Sequence, residues 1–333
     1  MKKFLFSLCA ASLAALSIAQ SRSYEINHAN TISTIANSST QLLDSTVNYN
    51  SDDVRSSKTE YSYDDTGKLT LETRYSWKNN GWEKGLHIES TYDNNGKLVF
   101  TKSYSGNNKL ESATEYIYNE DGNLKSEKSY FDESKLYGSS YEYEYDELGR
   151  KTSSVYILHQ EYFDFGAREE YIYNDNGIWI QDVLSFMYSG TWEETPSATR
   201  YHIYDENGYE IRLDICDLKK GGYLEAIWEY TYDTNGNKIC VTLTDFDNEA
   251  NNSKSEYSYD SENLLSKATS YYWENASWIQ SGYLLYYYSE HTVGISNTEK
   301  IITDSTPRKI IRGGKLYIEN HGHLYNICGQ TIE

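Results

Sequence analysis

The chain has 333 residues, of which 38% are hydrophobic, and Tyr alone accounts for 35 of them. Aromatic residues make up 15% of the chain and there are only two Pro, which argues against disorder because disordered chains are poor in aromatics and rich in Pro. The formal net charge of -20 argues against a nucleic-acid partner, since such binding needs a basic surface. The composition therefore favours a folded, acidic, β-rich protein.

Residues 1–19 have the pattern of a secretory signal peptide. Lys2 and Lys3 form the charged start, an apolar run follows over 4–16, and Ser17-Ile18-Ala19 offers a small-residue cleavage site. The run is too short to span a bilayer easily, and no later stretch has the length and apolarity of a membrane helix. We therefore expect an exported chain that begins near residue 20 and has no transmembrane helix.

Three cysteines remain after removal of the signal peptide: Cys216, Cys240 and Cys328. An odd number in an exported chain prevents a complete set of intramolecular disulfides. Their spacing does not match a metal site.

An internal repeat organises residues 58–291. Its core is a Tyr-x-Tyr-Asp motif, and its second Tyr recurs every 26 to 31 residues, at positions 63, 92, 118, 145, 173, 204, 232 and 259, with a degraded copy at Tyr286 and Tyr288. Four residues after that Tyr stands a glycine in seven copies: Gly67, Gly96, Gly122, Gly149, Gly177, Gly208 and Gly236. Gly enters the left-handed backbone region cheaply, and an Asp or Asn three residues earlier is typical of a type I turn closed by a G1 bulge. Each motif is thus predicted to form the tip of a β-hairpin.

The opposite end of the unit has a tryptophan signature. Trp77 and Trp82 flank a four-residue polar link, and Trp273 and Trp278 repeat the arrangement. Such pairs are expected to face each other across a second hairpin. Alternation along the arms puts Tyr61 and Tyr63 on one face with Leu71, Tyr75 and Trp77.

These patterns predict an all-β fold of antiparallel hairpin repeats, about 28 residues and two strands each, in a chain of about 18 strands. A twisted sheet of that size is expected to coil so that its aromatic face is covered, as a spiral, a solenoid or a rolled layer. We expect an extended coiled meander or β-solenoid. The predicted organisation is a signal peptide at 1–19, a polar linker at 20–57, the array at 58–291, a second linker at 292–308 and a terminal hairpin at 309–333.

The motif at Tyr61 to Leu69 and at Tyr143 to Lys151 resembles the YD repeat of RHS-type bacterial surface and toxin-shell proteins. The last 41 residues resemble the C-terminal sorting tail of proteins exported by the type IX (Por) secretion system, on the residues Gly314, Tyr325, Gly329 and Gln330. This resemblance implies the type IX export machinery as a partner, and attachment of the passenger at the outer-membrane surface or its release. A hairpin that caps the sheet is the alternative.

Asp44-Ser45-Thr46 and Asp304-Ser305-Thr306 look like the O-glycosylation acceptor of the same bacteria, with Ser45 and Ser305 as the acceptors. Both are expected in polar linkers that flank the array. Ordinary linker composition is the alternative.

No motif for catalysis was found. The seven His recur at no repeat position, no nucleophile elbow or phosphate loop is recognisable, and His321-Gly322-His323 supplies too few ligands for a metal. Acids at the hairpin tips are Ca²⁺ ligands by type, but each tip offers two or three oxygens where a site needs six to eight. We therefore expect no enzymatic activity, no cofactor and no metal.

Three functions from different classes remain. The first is a surface-displayed adhesin or envelope-interaction protein that binds a surface polysaccharide or a host or cell-surface ligand through an extended sheet. The second is a carbohydrate-binding protein that uses Trp77, Trp82, Trp273 and Trp278 as stacking platforms. An unrecognised hydrolase is a third reading, which would require acids to cluster in the folded sheet.

Overall fold

The structure is a computed structural model, and it describes residues 40–131, 138–159 and 164–291 together with three strands between 308 and 326. The chain forms two units, Met1–Val293 and Gly294–Glu333. The predicted signal peptide and residues 292–307, which include Ser305, lie outside the described residues.

The first unit is one large antiparallel sheet. Its first ten strands are β1 (Thr40–Asn50), β2 (Arg55–Tyr63), β3 (Leu69–Lys78), β4 (Gly81–Tyr92), β5 (Leu98–Tyr104), β6 (Leu110–Tyr118), β7 (Leu124–Tyr130), β8 (Gly138–Tyr145), β9 (Lys151–His159) and β10 (Asp164–Tyr173). The other nine are β11 (Trp179–Tyr188), β12 (Thr191–Trp192), β13 (Ala198–Tyr204), β14 (Glu210–Asp217), β15 (Tyr223–Tyr232), β16 (Lys238–Asp245), β17 (Ser253–Tyr259), β18 (Leu265–Glu274) and β19 (Ser277–His291), with a 3-10 turn at Glu249–Asn251.

The second unit holds a three-stranded sheet. Its strands are β20 (Arg308–Arg312), β21 (Lys315–Asn320) and β22 (His323–Asn326). Of the predicted sorting-tail residues, Tyr325 lies in β22, while Gly314, Gly329 and Gln330 lie outside the described residues.

The large sheet closes on itself, so the predicted open meander or solenoid is wrong. Strand β1 pairs with β19 over Thr40–Asn50 on one side and with β2 over Ser45–Tyr49 on the other. The segment predicted as a linker, 20–57, therefore contains the strand that joins the two ends of the array. Closure satisfies the edges that an open sheet would leave unpaired, and this is the physical reason for the difference.

The wall of the barrel has 18 strands, because the two-residue β12 only extends the hairpin of β11 while β11 pairs directly with β13. At about 4.8 Å between strands and a tilt of about 40°, a circular wall of this size has a backbone diameter of about 35 Å. Side chains on the inner face cannot fill such a width. The described residues agree, since only five apolar residues are buried: Leu42, Leu184, Phe186, Met187 and Ala226. The barrel therefore encloses a lumen in place of a continuous core.

All eight motif tips lie at one rim. Seven carry the repeat glycines, whose φ values run from +74° at Gly149 to +88° at Gly122, and Asn263 takes the same conformation in the eighth. In the first tip the backbone N–H of Gly67 donates to the carbonyl of Asp64, and the Asp64 carboxylate accepts from the N–H of Lys68. Strand β1 begins and strand β19 ends at this rim as well.

A bulge after each tip changes which side chains share a face. Pairing shifts between Ser62 and Tyr63, so that Tyr61 lies opposite Glu72 and Ser62 lies opposite Leu71. Directly paired residues point to the same side of a sheet. The prediction that Tyr61 shares a face with Leu71 and Trp77 is therefore wrong, because simple alternation does not account for the extra residue of the bulge.

The face that carries the motif tyrosines lines the lumen. Following pairs around the sheet, Glu60 leads through Thr73, His87 and Tyr104 to Leu110, which is the first residue of its strand. This row of paired residues therefore moves away from the motif rim as it passes from β2 to β6, which shows the direction in which the strands tilt. Strands in closed sheets tilt with one fixed hand, and with that hand the face that carries Tyr61 is on the inside of the barrel. The Trp pairs and the mid-strand charges of the other face are on the outside.

The second motif Tyr joins neighbouring repeats. Its hydroxyl donates to the carbonyl of the residue at the preceding bulge, as Tyr92 does to Leu69 and Tyr118 to Leu98, both at 2.8 Å. Equivalent bonds are made by Tyr63, Tyr145, Tyr173, Tyr232, Tyr259 and Tyr288. A bulge takes its carbonyl out of the strand ladder, and the hydroxyl supplies the missing donor. We call this set the tyrosine ladder.

A cation strengthens several rungs of the ladder. The residue five places after the second Tyr reaches the second Tyr of the next repeat, so that Lys97 lies 4.8 Å from the Tyr118 ring centroid and Arg150 lies 4.7 Å from that of Tyr173. Cations over aromatic faces are stabilising. This explains why Lys or Arg recurs in the motif.

Removal of one ladder hydroxyl should destabilise the barrel measurably. We expect Tyr118→Phe to lower the free energy of unfolding by about 1 kcal/mol, because the Leu98 carbonyl loses its donor. Urea denaturation measures the change. Tyr201→Phe on the exposed outer face is the matched control and should shift stability by less than about 0.5 kcal/mol. Equal effects at both positions would contradict the ladder.

Candidate functional site

The inner face carries a continuous row of charged and aromatic side chains from β7 to β14, which we call the inner band. Its members are Glu127, Tyr141, Tyr143, Lys151, Tyr156, Glu169, Tyr171, Asp182, Arg200, His202 and Glu210. Each stands on a strand at a position that its register turns inward. The rigid wall therefore fixes the spacing of these groups.

The centre of the band is a chain of alternating charges. Arg200 donates to Glu169 at 2.9 Å and to Asp182 at 2.6 Å. His202 lies between two carboxylates, with its Nε2 3.0 Å from Asp182 and its Nδ1 2.6 Å from Glu210. Asp182 is fully buried, so Arg200 and His202 compensate its charge in place of water.

His202 is held in its charged form. Both ring nitrogens face carboxylate oxygens, which only accept, so both must donate. Burial opposes the charge, but the hydrogen bonds to Asp182 and Glu210 outweigh it and raise the pKa of His202 above its ordinary value. The Trp179 ring, 3.8 Å from the imidazole between centroids, covers the pair.

The pH dependence of stability follows from this raised pKa. His202 gives its full stabilisation below the unfolded pKa of about 6.5, and the stabilisation is lost as pH rises through the higher folded value. We expect the thermal midpoint of the wild-type protein to fall between pH 6 and pH 9 by more than that of a His202→Gln variant. An identical pH profile for the two proteins would show that folding does not raise the pKa of His202, and a wild-type midpoint that rises with pH relative to the variant would show that His202 is neutral when folded.

The other part of the band is aromatic. Tyr143 donates to Glu127 at 2.6 Å and Tyr171 donates to Glu169 at 2.7 Å. Lys151 lies between the two rings, with its Nζ 4.6 Å from the Tyr143 centroid and 5.6 Å from that of Tyr171. Burial, followed by the neighbouring carboxylate, raises the pKa of both phenols, and burial lowers the pKa of Lys151. The phenols therefore act as hydrogen-bond donors over the physiological pH range.

The predicted Trp platforms are on the outer wall. Trp77 packs edge-to-face on Trp82 with centroids 4.9 Å apart, and Trp273 packs on Trp278 in the same way. Lys58 lies over the Trp82 ring and Lys254 lies over the Trp278 ring. Each Trp pair therefore packs across the two strands of its hairpin and stabilises it. A lysine covers one ring of each pair.

Other predicted residues are placed as follows. Ser45 lies within β1, opposite Glu60 and Tyr287, and not in a linker. Cys216 and Cys240 are free thiols. At the tips, the carboxylates are used by the turns themselves, as where the backbone N–H of Arg150 and then its guanidinium hold the pKa of Asp146 below its usual range. Across the described ranges no three His, Cys, Asp or Glu side chains converge as metal ligands.

The inner band was not predicted from the sequence, although its charged members stand at shared repeat positions: Glu169 and Arg200 each lie four residues before the second motif Tyr, and Lys151 and Glu210 each lie six residues after it. Their spacing from the motif tyrosines also indicates the face of the sheet on which they lie. Glu169 stands two residues before Tyr171, and Arg200 and His202 stand four and two residues before Tyr204, so they share the face of the motif tyrosines. Charges on the face expected to be covered indicate a polar site.

Comparisons with known proteins give a distant structural likeness and no family. No protein-family model and no curated protein matches the chain. A chain of the TcdB2-TccC3-Cdc42 crystal structure is 14% identical with a TM-score of 0.37, over 83% of this chain and 16% of that one. A porin-like protein from Bacteroides uniformis is 9% identical with a TM-score of 0.40, over 74% of this chain and 98% of that one.

The chain thus spans about a sixth of the first of these structures. Within the part of the chain that the structure describes, no helix is long and apolar enough to cross a membrane.

Proposed function

We propose that the protein is an exported, non-catalytic binding barrel that acts in adhesion or envelope interactions at the outer surface of its cell and holds its ligand inside the lumen. The observation that carries this proposal is the inner band, an ordered row of tyrosines and paired charges on the wall of an unfilled lumen. Ligand sites combine aromatic surface with a few fixed polar groups in a concave setting. The inner face has both, because its tyrosines and its paired charges point into the lumen.

The outer wall supports a barrel that stands in water. Charged residues occupy mid-strand positions around it, and they face one another across strands as Glu89 faces Lys102, Glu115 faces Lys128 and Arg212 faces Glu229. A Lys or Arg that faces lipid at mid-membrane costs about 2–4 kcal/mol each. Charged side chains on a surface that faces water carry no such free-energy cost, and they favour solubility of the barrel.

Access to the lumen is tested with single cysteines in a protein whose native cysteines are replaced by Ser. Thr114→Cys places a thiol on the inner face, and Glu115→Cys places one beside it on the outer face. A small maleimide should label both, and incubation with a cell-surface extract of the producer should protect only the inner thiol. An inner thiol that never reacts, or equal protection of both thiols, would overturn the lumen as the binding site.

Export and display are tested on the native protein recovered from a cell-surface fraction. We expect a chain that begins near Gln20, lacks the region after about Val293 and carries extra heterogeneous mass, as type IX export and surface attachment would produce. A chain that still ends at Glu333 would argue against cleavage of the tail.

A further inference from the structure

Three tyrosines of the inner band form an aromatic surface that the charge chain does not use, which we call the tyrosine shelf. Tyr141 and Tyr143 stand two residues apart on β8, with ring planes 4° from parallel and centroids 6.0 Å apart. Tyr156 lies opposite Tyr141 on β9, with centroids 4.8 Å apart and a tilt of 42°. All three rings are half-buried, so part of each remains open to the lumen.

Hydrogen-bonding groups border the shelf on both sides. Glu127 accepts from the Tyr143 hydroxyl, and Glu169 accepts from Tyr171, whose hydroxyl is also 3.0 Å from Ser154. A carboxylate has about four acceptor positions, so each of these groups keeps capacity for further donors. Such acceptors beside aromatic rings suit a ligand that presents both apolar faces and hydroxyl donors.

The charges of the inner band nearly cancel. Four acids, Glu127, Glu169, Asp182 and Glu210, stand against Lys151, Arg200 and the charged His202. A polyanion would meet carboxylates that already have partners, and a polycation would have to displace Arg200 or His202 from the carboxylates that they pair with. Both exchanges lose paired charges in a partly buried setting, which is costly. The balance therefore favours an uncharged ligand.

We propose that Tyr141, Tyr143 and Tyr156 form a subsite for consecutive neutral sugar units of a glycan chain, with Glu127 and Glu169 accepting hydrogen bonds from its hydroxyls. Neighbouring rings of the shelf lie within 6.0 Å of each other between centroids, with Lys151 over the Tyr143 ring, so a ligand would meet a cluster of rings. This inference rests on the proposed function, because the glycan must enter the lumen.

The test is calorimetric titration of the full mature chain with linear hexasaccharides. The neutral probes are β-glucan, α-glucan, β-mannan and xylan hexamers, and the charged probes are hexagalacturonate and chitosan hexamer. We expect a neutral hexamer to bind, and Tyr141→Ala and Tyr156→Ala each to weaken it by roughly tenfold or more. Tyr201→Ala on the outer wall is the matched control and should leave affinity unchanged.

Conservative variants separate stacking from folding. Tyr141→Phe and Tyr156→Phe keep the rings and should keep binding, even where the Ala variants fail to fold. Loss of binding in the Phe variants, or full binding in folded Ala variants, would overturn the shelf. Binding of only a charged hexamer would overturn the neutral class.

The two proposals fail in different ways. If no hexamer binds while the inner thiol at position 114 is still protected by the cell-surface extract, the glycan subsite is wrong and the lumen remains the binding site. If neither hexamers nor the extract change the inner thiol, both proposals fall.

Discussion

Replacement of Asp182 by Asn is expected to lower the free energy of unfolding by about 3–5 kcal/mol, because it leaves the Arg200 and His202 charges buried beside a neutral amide. Natural domains are stable by only about 5–15 kcal/mol, so this one substitution should remove a large share of the total. Urea denaturation followed by intrinsic tryptophan fluorescence measures the loss.

The matched control is Asp214→Asn on the outer wall. Asp214 pairs with Arg212, whose side chain is 38% exposed, and water screens that pair. Its removal should cost less than about 1 kcal/mol. If the two substitutions cost the same, Asp182 would not be the buried centre of a charge chain.

Removal of strand β1 should have the second large effect, because this strand alone joins β19 to β2. A chain without residues 40–50 keeps every repeat motif but exposes two strand edges, and such edges pair with other chains. We expect the shortened protein to associate into oligomers and to lose its cooperative unfolding transition, as measured by light scattering and denaturation.

A synthetic peptide of residues 40–50 provides the control for this deletion. It should return the shortened protein to a monomer, whereas a peptide of the same composition in shuffled order should not. A shortened protein that stays monomeric and as stable as the full chain would show that β1 does not close the sheet.

The hairpins could be predicted from the sequence because their determinants are local. A glycine four residues after the second Tyr fixes a left-handed backbone position, and seven copies place it at the same rim. The Trp pairs were predictable for the same reason, since Trp77 and Trp82 flank a short turn whose Asn79 and Asn80 both take positive φ.

Closure could not be predicted from local pattern. Strand β1 has no repeat motif, and it pairs with residues more than 230 positions away, as Leu42 does with Ser289. The sequence also does not show which side chains share a face beyond each tip. Each bulge adds one residue after the tip, so the side chains that follow it point to the opposite face from the one that simple alternation predicts. Spacing from the motif tyrosines places Glu169, Arg200 and His202 on the tyrosine face, but only the closed barrel shows that this face lines the lumen.

The most direct test of the closed barrel is a disulfide across the seam between its first and last strands. Val47 pairs with Leu285, so Val47→Cys and Leu285→Cys should cross-link within one molecule, in a protein whose native cysteines are replaced by Ser. Thr242→Cys with Lys254→Cys joins adjacent strands in any arrangement and shows that oxidation works. An open array of 18 strands would hold the seam cysteines about 80 Å apart. The account predicts an intramolecular 47–285 link in the monomer by peptide mass; a control link without a seam link, or seam links only between molecules, would contradict it.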